Sequence, residues 1–257
     1  MTFETIGVAG TARLAGAIAG RIAASGVRVI VHGFAPEPGA GGRRHRIERA
    51  ANLFDLASEC AAVIAVYETH AELREALTGS ADRPGLLGAM APGNLLIDFS
   101  GGLPVEVSRL AGQLSGGAIG LVECGIVGGH EAIAVGRAQI YAGGFGEHVE
   151  RVTPVLAGLG MVRRIGPQGS GRMFAALSEA IAAAQVLALH EAQAVAQAGG
   201  YVPDELAAPP LPEAEFARMV AQVAAAQAMA RAHSVPSPLI DALAGALSQI
   251  AKDFKRL

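Results

Sequence analysis

The stretch that most restricts the fold is "TIGVAGTARLAGAIAGRIAASGVRVIVHG", residues 5–33. A short apolar run breaks at Gly10. A segment with apolar residues at helical spacing follows and stops at Gly26, and a second apolar run succeeds it. Short apolar runs bounded by glycine read as buried strands, and the 3.6-residue period between them reads as a helix. Strand, tight turn, helix and strand in that order open a βαβ unit of the nucleotide-binding kind.

The pattern continues. "AAVIAVY" (61–67), "NLLIDFS" (94–100), "GAIGLVECG" (117–125) and "RAQIYAGG" (137–144) read as further strands, with helical segments between most of them. Such alternation predicts an α/β fold, a Rossmann-like doubly wound sheet that is mostly parallel. From about residue 170 the character changes. A proline-free segment, about 171–199, reads as one long helix ended by Gly199–Gly200. Two more helices are expected at roughly 213–233 and 238–255. The division is therefore a Rossmann-like dinucleotide-binding domain over 1–165 and an all-helical substrate and dimerisation domain over 170–257. The Ala-rich faces of the long helix suit close helix packing and a homodimer.

Half of the 257 residues (51%) are hydrophobic and 17% are charged, as expected for a chain that buries a large core. A net charge of -3 offers nothing to nucleic acid or an anionic membrane. No run of about 20 uncharged apolar residues marks a membrane span, and the N-terminus lacks the pattern of a signal peptide. The expected location is cytoplasmic. Cys60 and Cys124 make no disulfide framework and no metal spacing. The two lysines, Lys252 and Lys255, stand in the last six residues. No lysine in the body of the fold is available as an acid, a base or a Schiff-base former.

Four motifs in order resemble the β-hydroxyacid dehydrogenase family, the 3-hydroxyisobutyrate and 6-phosphogluconate dehydrogenase group that includes imine reductases. They are the 5–33 fingerprint, "LLGAMAPGNLLIDFSGGLPVEVSRLA", "ECGIVGGHEAIAVGRAQIYAGG" and "GPQGSGRMFAALSE". The resemblance implies a bound NAD(P). It places Gly10, Thr11, Ala12, Arg13, Leu14, His32, Val66, Tyr67 and Ser100 around the cofactor. It places Val127, Gly128, Gly129, His130, Arg172 and Ala175 around a small-molecule substrate. Ser100 has a second reading as the cap of the helix beginning near Pro104.

The departures carry more information than the matches. Ala12 and Ala15 replace two fingerprint glycines. The first of these lets the backbone approach the pyrophosphate, so a methyl at position 12 crowds the ligand. Neither an acid for a free ribose nor an arginine for a 2′-phosphate follows the second strand. His32, Gly33 and Phe34 stand there instead, and Phe34 fits either an adenine face or the core. The irregular segment 34–46 reads either as a surface loop or as an anion-binding flap. In the second reading Arg43, Arg44 and Arg46 favour NADP.

Val127 occupies the position of a substrate-binding serine. Ala175 occupies that of the catalytic lysine, and Ala221, beside Gln222, that of a further lysine. Glu179 replaces an asparagine one turn after Ala175. It reads as a substitute acid/base or as an ion-pair partner of an arginine such as Arg172. Three functions remain open at this point. They are an NADP-dependent reductase that works without lysine, a lyase, isomerase or cyclase on the same scaffold, and a non-catalytic homologue. No metal is expected.

Overall fold

The computed structural model describes residues 3–11, 13–35, 47–80, 82–200 and 213–254. The chain divides into two compact units, Met1–Phe174 and Ala175–Leu257, with the boundary inside the long helix.

The first unit opens with β1 (Thr5–Gly10), α1 (Arg13–Ala24), β2 (Arg28–His32), β3 (Ile47–Arg49), α2 (Leu53–Ser58), β4 (Ala62–Val66) and α3 (His70–Thr78). A two-stranded ribbon, β5 (Gly79–Ser80) and β6 (Arg83–Pro84), is followed by β7 (Leu95–Asp98) and α4 (Pro104–Ser115). The unit closes with β8 (Gly120–Val127), α5 (Gly129–Ala134), β9 (Ala138–Gly144), α6 (Gly146–Leu156) and β10 (Gly160–Gly166). Eight strands form one sheet in the order β10-β9-β8-β7-β4-β1-β2-β3. All neighbours pair parallel except β8 and β9, which run antiparallel with Cys124 opposite Ala142. Strand β4 and, after Thr5, strand β1 are apolar and buried on both faces, which is the burial that helices on both sides of a parallel sheet impose.

Two strands of the large sheet are not expected from the sequence. A third strand, β3, follows the irregular segment and pairs with β2. A tenth strand, β10, forms the other edge of the sheet. One core layer joins Ile18, Ile22, Val8, Ile64 and Val152, and the other joins Leu56, Leu73, Val63, Leu96 and Val107.

Small residues set the geometry at the front of the sheet. Ala15 is fully buried in the first core layer, so the third glycine of the fingerprint is replaced without displacing α1 from the sheet. Gly10 has no such latitude: a Cβ there would overlap the Val66 carbonyl on β4. Gly33 has φ +94° and abuts the Gly10 carbonyl in the same way.

The helical unit comprises the body of α7 (Ser170–Ala198) with α8 (Glu213–Ala232) and α9 (Pro238–Phe254). Its core joins Ala180, Ala183 and Leu187 to Phe216, Met219 and Val223 and to Leu243 and Leu247. Alanines on α7 allow the close approach that the Ala-rich sequence implies. By length and composition alone α7 is long and apolar enough to cross a membrane. The sequence reading found no such stretch. The helix qualifies because alanine counts as apolar, and it carries two buried charged residues, Arg172 and Glu179.

Candidate functional site

The carboxyl ends of parallel strands are where an open α/β sheet places its ligands. A cleft of about 970 Å³ lies there, lined by Gly10 and Thr11 at the end of β1, His32 and Gly33 at the end of β2, Tyr67 after β4, and Glu72 and Glu75 of α3. It falls within the usual range of ligand pockets, roughly 300–1,000 Å³. A second cavity of about 370 Å³ adjoins the end of β2 and shares His32 and Gly33 with the first.

Of the residues expected around the cofactor, Gly10, Thr11, His32 and Tyr67 line the larger cleft. The Thr11 N–H donates to the Val66 carbonyl at 3.2 Å, which pins the turn between β1 and α1 to β4. Arg13 is exposed at the start of α1, and Leu14 packs partly buried against the first core layer. Phe34 does the same while also lining the smaller cavity. Ala12, Arg43, Arg44 and Arg46 lie outside the described residues. Burial lowers the His32 imidazole below its ordinary value and pushes the Tyr67 phenol up to about 12, so at neutral pH both rings are uncharged.

Ser100 is buried, and its hydroxyl accepts the Tyr67 N–H at 3.0 Å. It does not cap α4. Leu103 is the N-cap residue there, and the Glu106 side chain accepts the Leu103 N–H at 2.6 Å. The capping alternative for Ser100 is thus corrected: its hydroxyl ties the end of β4 to the end of β7.

Beneath this edge lies a charged cluster that the sequence reading missed. Asp98, the last residue of β7, and Glu123 of β8 are both fully buried. The Arg172 guanidinium, 7% exposed, pairs with Asp98 through Nη2. The second Asp98 oxygen accepts the Ser100 N–H at 2.8 Å. Glu123 accepts the N–H groups of Gly171 (2.6 Å) and Arg172 (3.0 Å) at the start of α7. A carboxylate at a helix N-terminus satisfies orphan donors and opposes the positive end of the dipole. Burial pushes the Glu123 carboxyl up to about 7, against the pull of Arg172 and those two N–H groups. Nε and Nη1 of Arg172 are buried without a hydrogen-bond partner. The signal for this cluster was present in "LLIDFS" and "LVECG": a carboxylate inside an apolar strand demands a buried partner.

The residues expected around the substrate scatter along this side of the first unit. Val127 ends β8 half-buried. Gly128, with φ +99°, caps the six-residue α5, and Gly129 and His130 begin that helix. His130 Nδ1 stands 4.0 Å from Glu131. Cys124 is a buried free thiol pushed well above its ordinary value by burial, which leaves it no nucleophilic character. Tyr141 stacks at a tilt on Phe174, with ring centroids 4.6 Å apart.

In the helical unit Ala175 and Glu179 are both buried, one turn apart on α7, whereas Ala221 is exposed on α8. The Glu179 carboxylate pairs with Arg218 of α8, which also reaches Glu215 at 3.7 Å. The expected pairing of Glu179 with Arg172 is corrected here. Arg172 is engaged by Asp98, and the partner of Glu179 comes from the next helix. His190 is half-buried further along α7. Among the described residues no group of three or more His, Cys, Asp or Glu side chains could hold a metal ion.

The family profile of the NAD binding domain of 6-phosphogluconate dehydrogenase matches residues 5–169. The chain belongs to the β-hydroxyacid dehydrogenase family. Among curated members of the family, the NAD-dependent L-serine dehydrogenase of Pseudomonas aeruginosa is 25% identical over 120 residues. That match takes in 46% of this chain and 40% of the relative's length. The solved 3-hydroxyisobutyrate dehydrogenase of Mycobacterium tuberculosis with L-serine has a TM-score of 0.80 at 19% identity, covering 98% of this chain and 95% of that one. The reductive aminase of Aspergillus terreus in complex with NADPH and ethyl levulinate has a TM-score of 0.64 at 18% identity, covering 98% and 95%. At these identities the two structures establish the shared fold, and the family profile establishes an NAD(P)-binding domain.

Proposed function

We propose that this chain is an NADP-dependent reductase that reduces C=N or C=O bonds of a small or medium organic substrate without the family's lysine. One observation carries the reading. The cleft at the carboxyl ends of β1, β2 and β4 has a volume of about 970 Å³ and is lined by the Gly10–Thr11 turn, while Ala175 stands where the resemblance puts the family's proton donor. A cleft for the cofactor in a chain without the family's acid suits a substrate that arrives already protonated, as an imine can.

The residues present fit a dinucleotide. Gly10 keeps the turn tight, Thr11 stands exposed at the head of α1, and Tyr67 closes the far wall. When bound, the nicotinamide supplies a hydride. The rest is the task of this chain's own side chains. The Glu179 carboxylate, held by Arg218, orients a cationic nitrogen of the substrate. Val127, in place of a serine, removes a hydroxyl that would bind a substrate carboxylate and so favours a less polar substrate. In the first unit, Arg172, Gly128, Gly129 and His130 are assigned to substrate binding. We further read the protein as a cytoplasmic homodimer assembled through α7–α9.

Calorimetric titration with NADPH and then NADH tests the reading, followed by a screen of cyclic imines and ketones for NADPH oxidation. Micromolar binding of NADPH and turnover of an imine are expected. Binding of neither dinucleotide would overturn the reductase and leave a non-redox role for the cleft.

A further inference from the structure

We propose that Arg49, delivered by the third strand, selects a 2′-phosphorylated dinucleotide, with His32 as its partner on that phosphate. The inference rests on the reductase reading above and deepens it by naming the residues that choose the cofactor.

The placement is fixed by backbone pairing. Arg49 sits opposite Val31 in the parallel register of β2 and β3, and the Ala50 N–H donates to the Val31 carbonyl at 3.0 Å. Arg49 therefore stands beside the last turn of backbone before His32 and Gly33, where a dinucleotide's adenosine ribose meets the second strand of a Rossmann sheet. Its Nη2 donates to the Phe34 carbonyl at 3.2 Å, which holds the guanidinium at the wall of the 370 Å³ cavity. That bond uses one of five N–H donors.

Charge in this corner is sorted by strand alternation. Glu48, the neighbour of Arg49 on β3, points the other way and accepts from Arg28 at 2.6 and 3.3 Å. Arg28 also takes Glu59 at 3.0 Å. These carboxylates are thus drawn to Arg28, and among the described residues none pairs with Arg49. Among the described residues the cavity lining, His32, Gly33, Phe34, Arg49 and Ala50 with two small aliphatic residues, contains no acid. A carboxylate there would accept the two ribose hydroxyls and repel a phosphate; a planar guanidinium with free donors does the reverse. His32, lining the same cavity, adds a ring N–H. The arginine usually sought just after β2 is Phe34 in this chain, and the strand beside it supplies the charge instead.

The test is calorimetric binding of NADPH and NADH to the whole protein and to Arg49→Ala, with circular dichroism as the folding control. Arg49 is exposed, so the variant should fold. The expected result is a wild-type preference for NADPH. Arg49→Ala should weaken NADPH binding about 10- to 100-fold and change NADH binding less than about 3-fold, the loss expected when a charged hydrogen bond to phosphate is removed. An unchanged NADPH:NADH ratio in Arg49→Ala overturns the inference while leaving the reductase reading intact. So does a loss of preference in Arg43→Ala/Arg44→Ala with none in Arg49→Ala. Absence of binding by the wild type to either dinucleotide overturns both.

Discussion

Arg172 and Asp98, seventy-four residues apart, form an ion pair that excludes water from both side chains. The pair ties the first turn of α7 to the end of β7, and Glu123 holds the same turn by its backbone. Breaking a buried pair from one side leaves the other charge uncompensated, at a cost of roughly 3–5 kcal/mol. Asp98→Ala and Arg172→Ala should each lose stability of that order in urea denaturation. The double variant should lose much less than their sum. Additive losses would mean the two groups do not stabilise one another.

Glu123 makes stability depend on pH. Its folded value of about 7 lies above the ordinary value of 4.5. Below about 4.5 both folded and unfolded states hold the proton, so the contribution is fully present. As pH rises from about 4.5 to about 7 the unfolded chain gives up its proton first, and stability falls. The span is on the order of 3 kcal/mol at most. Urea midpoints measured across that window should decline in the wild type, and the decline should flatten in Glu123→Gln.

Gly10 and Gly33 are set by backbone contact. Gly10→Ala drives a methyl into the Val66 carbonyl, and Gly33→Ala drives one into the Gly10 carbonyl at a positive φ. Each should destabilise by about 1–3 kcal/mol, the usual cost of forced overpacking. Thermal unfolding without ligand measures this directly. By contrast Ala15→Gly should cost only about 1 kcal/mol, from helix propensity.

Glu179→Gln keeps the shape of the side chain and removes its charge. On the proposed reading, imine reduction should fall about 10- to 100-fold, with the circular dichroism spectrum and NADPH affinity unchanged. Turnover at the wild-type rate would sink the role given to this carboxylate. Arg218→Ala should lower both activity and stability, because it removes an ion-pair partner of the buried Glu179.

The parts of the fold legible in the sequence were those with a clear period. The mainly apolar runs at β1, β4 and β7 and the long stretches at α7, α8 and α9 declare themselves. Strand β3 has three residues, and β10 has no fully buried position and exposes Arg163 and Arg164 in succession. Neither carries enough apolar signal to be recognised. The reversal at β9 had a signal in length, since the short link from Val127 to Ala138 is too small for a parallel crossover. At the site, the alanines at 12, 15 and 175 could be read because a motif fixes their positions. Which arginine meets which carboxylate could not. Arg172 is two helical turns from Glu179, yet its side chain is claimed by Asp98 across the sheet edge, a tertiary choice that no local spacing encodes.

Gly10 and Gly33 also change how the fingerprint itself should be weighed. Their missing side chains are required by the neighbouring carbonyls of β4 and β1, whether or not anything binds. In chains diverging from this scaffold these two positions should therefore persist as fossils of the fold, even after a ligand is abandoned. The third fingerprint position shows the other case: Ala15 fills it and is fully buried in the core. Glycines at positions 10 and 33 in such chains would therefore testify to the sheet and not to the cofactor.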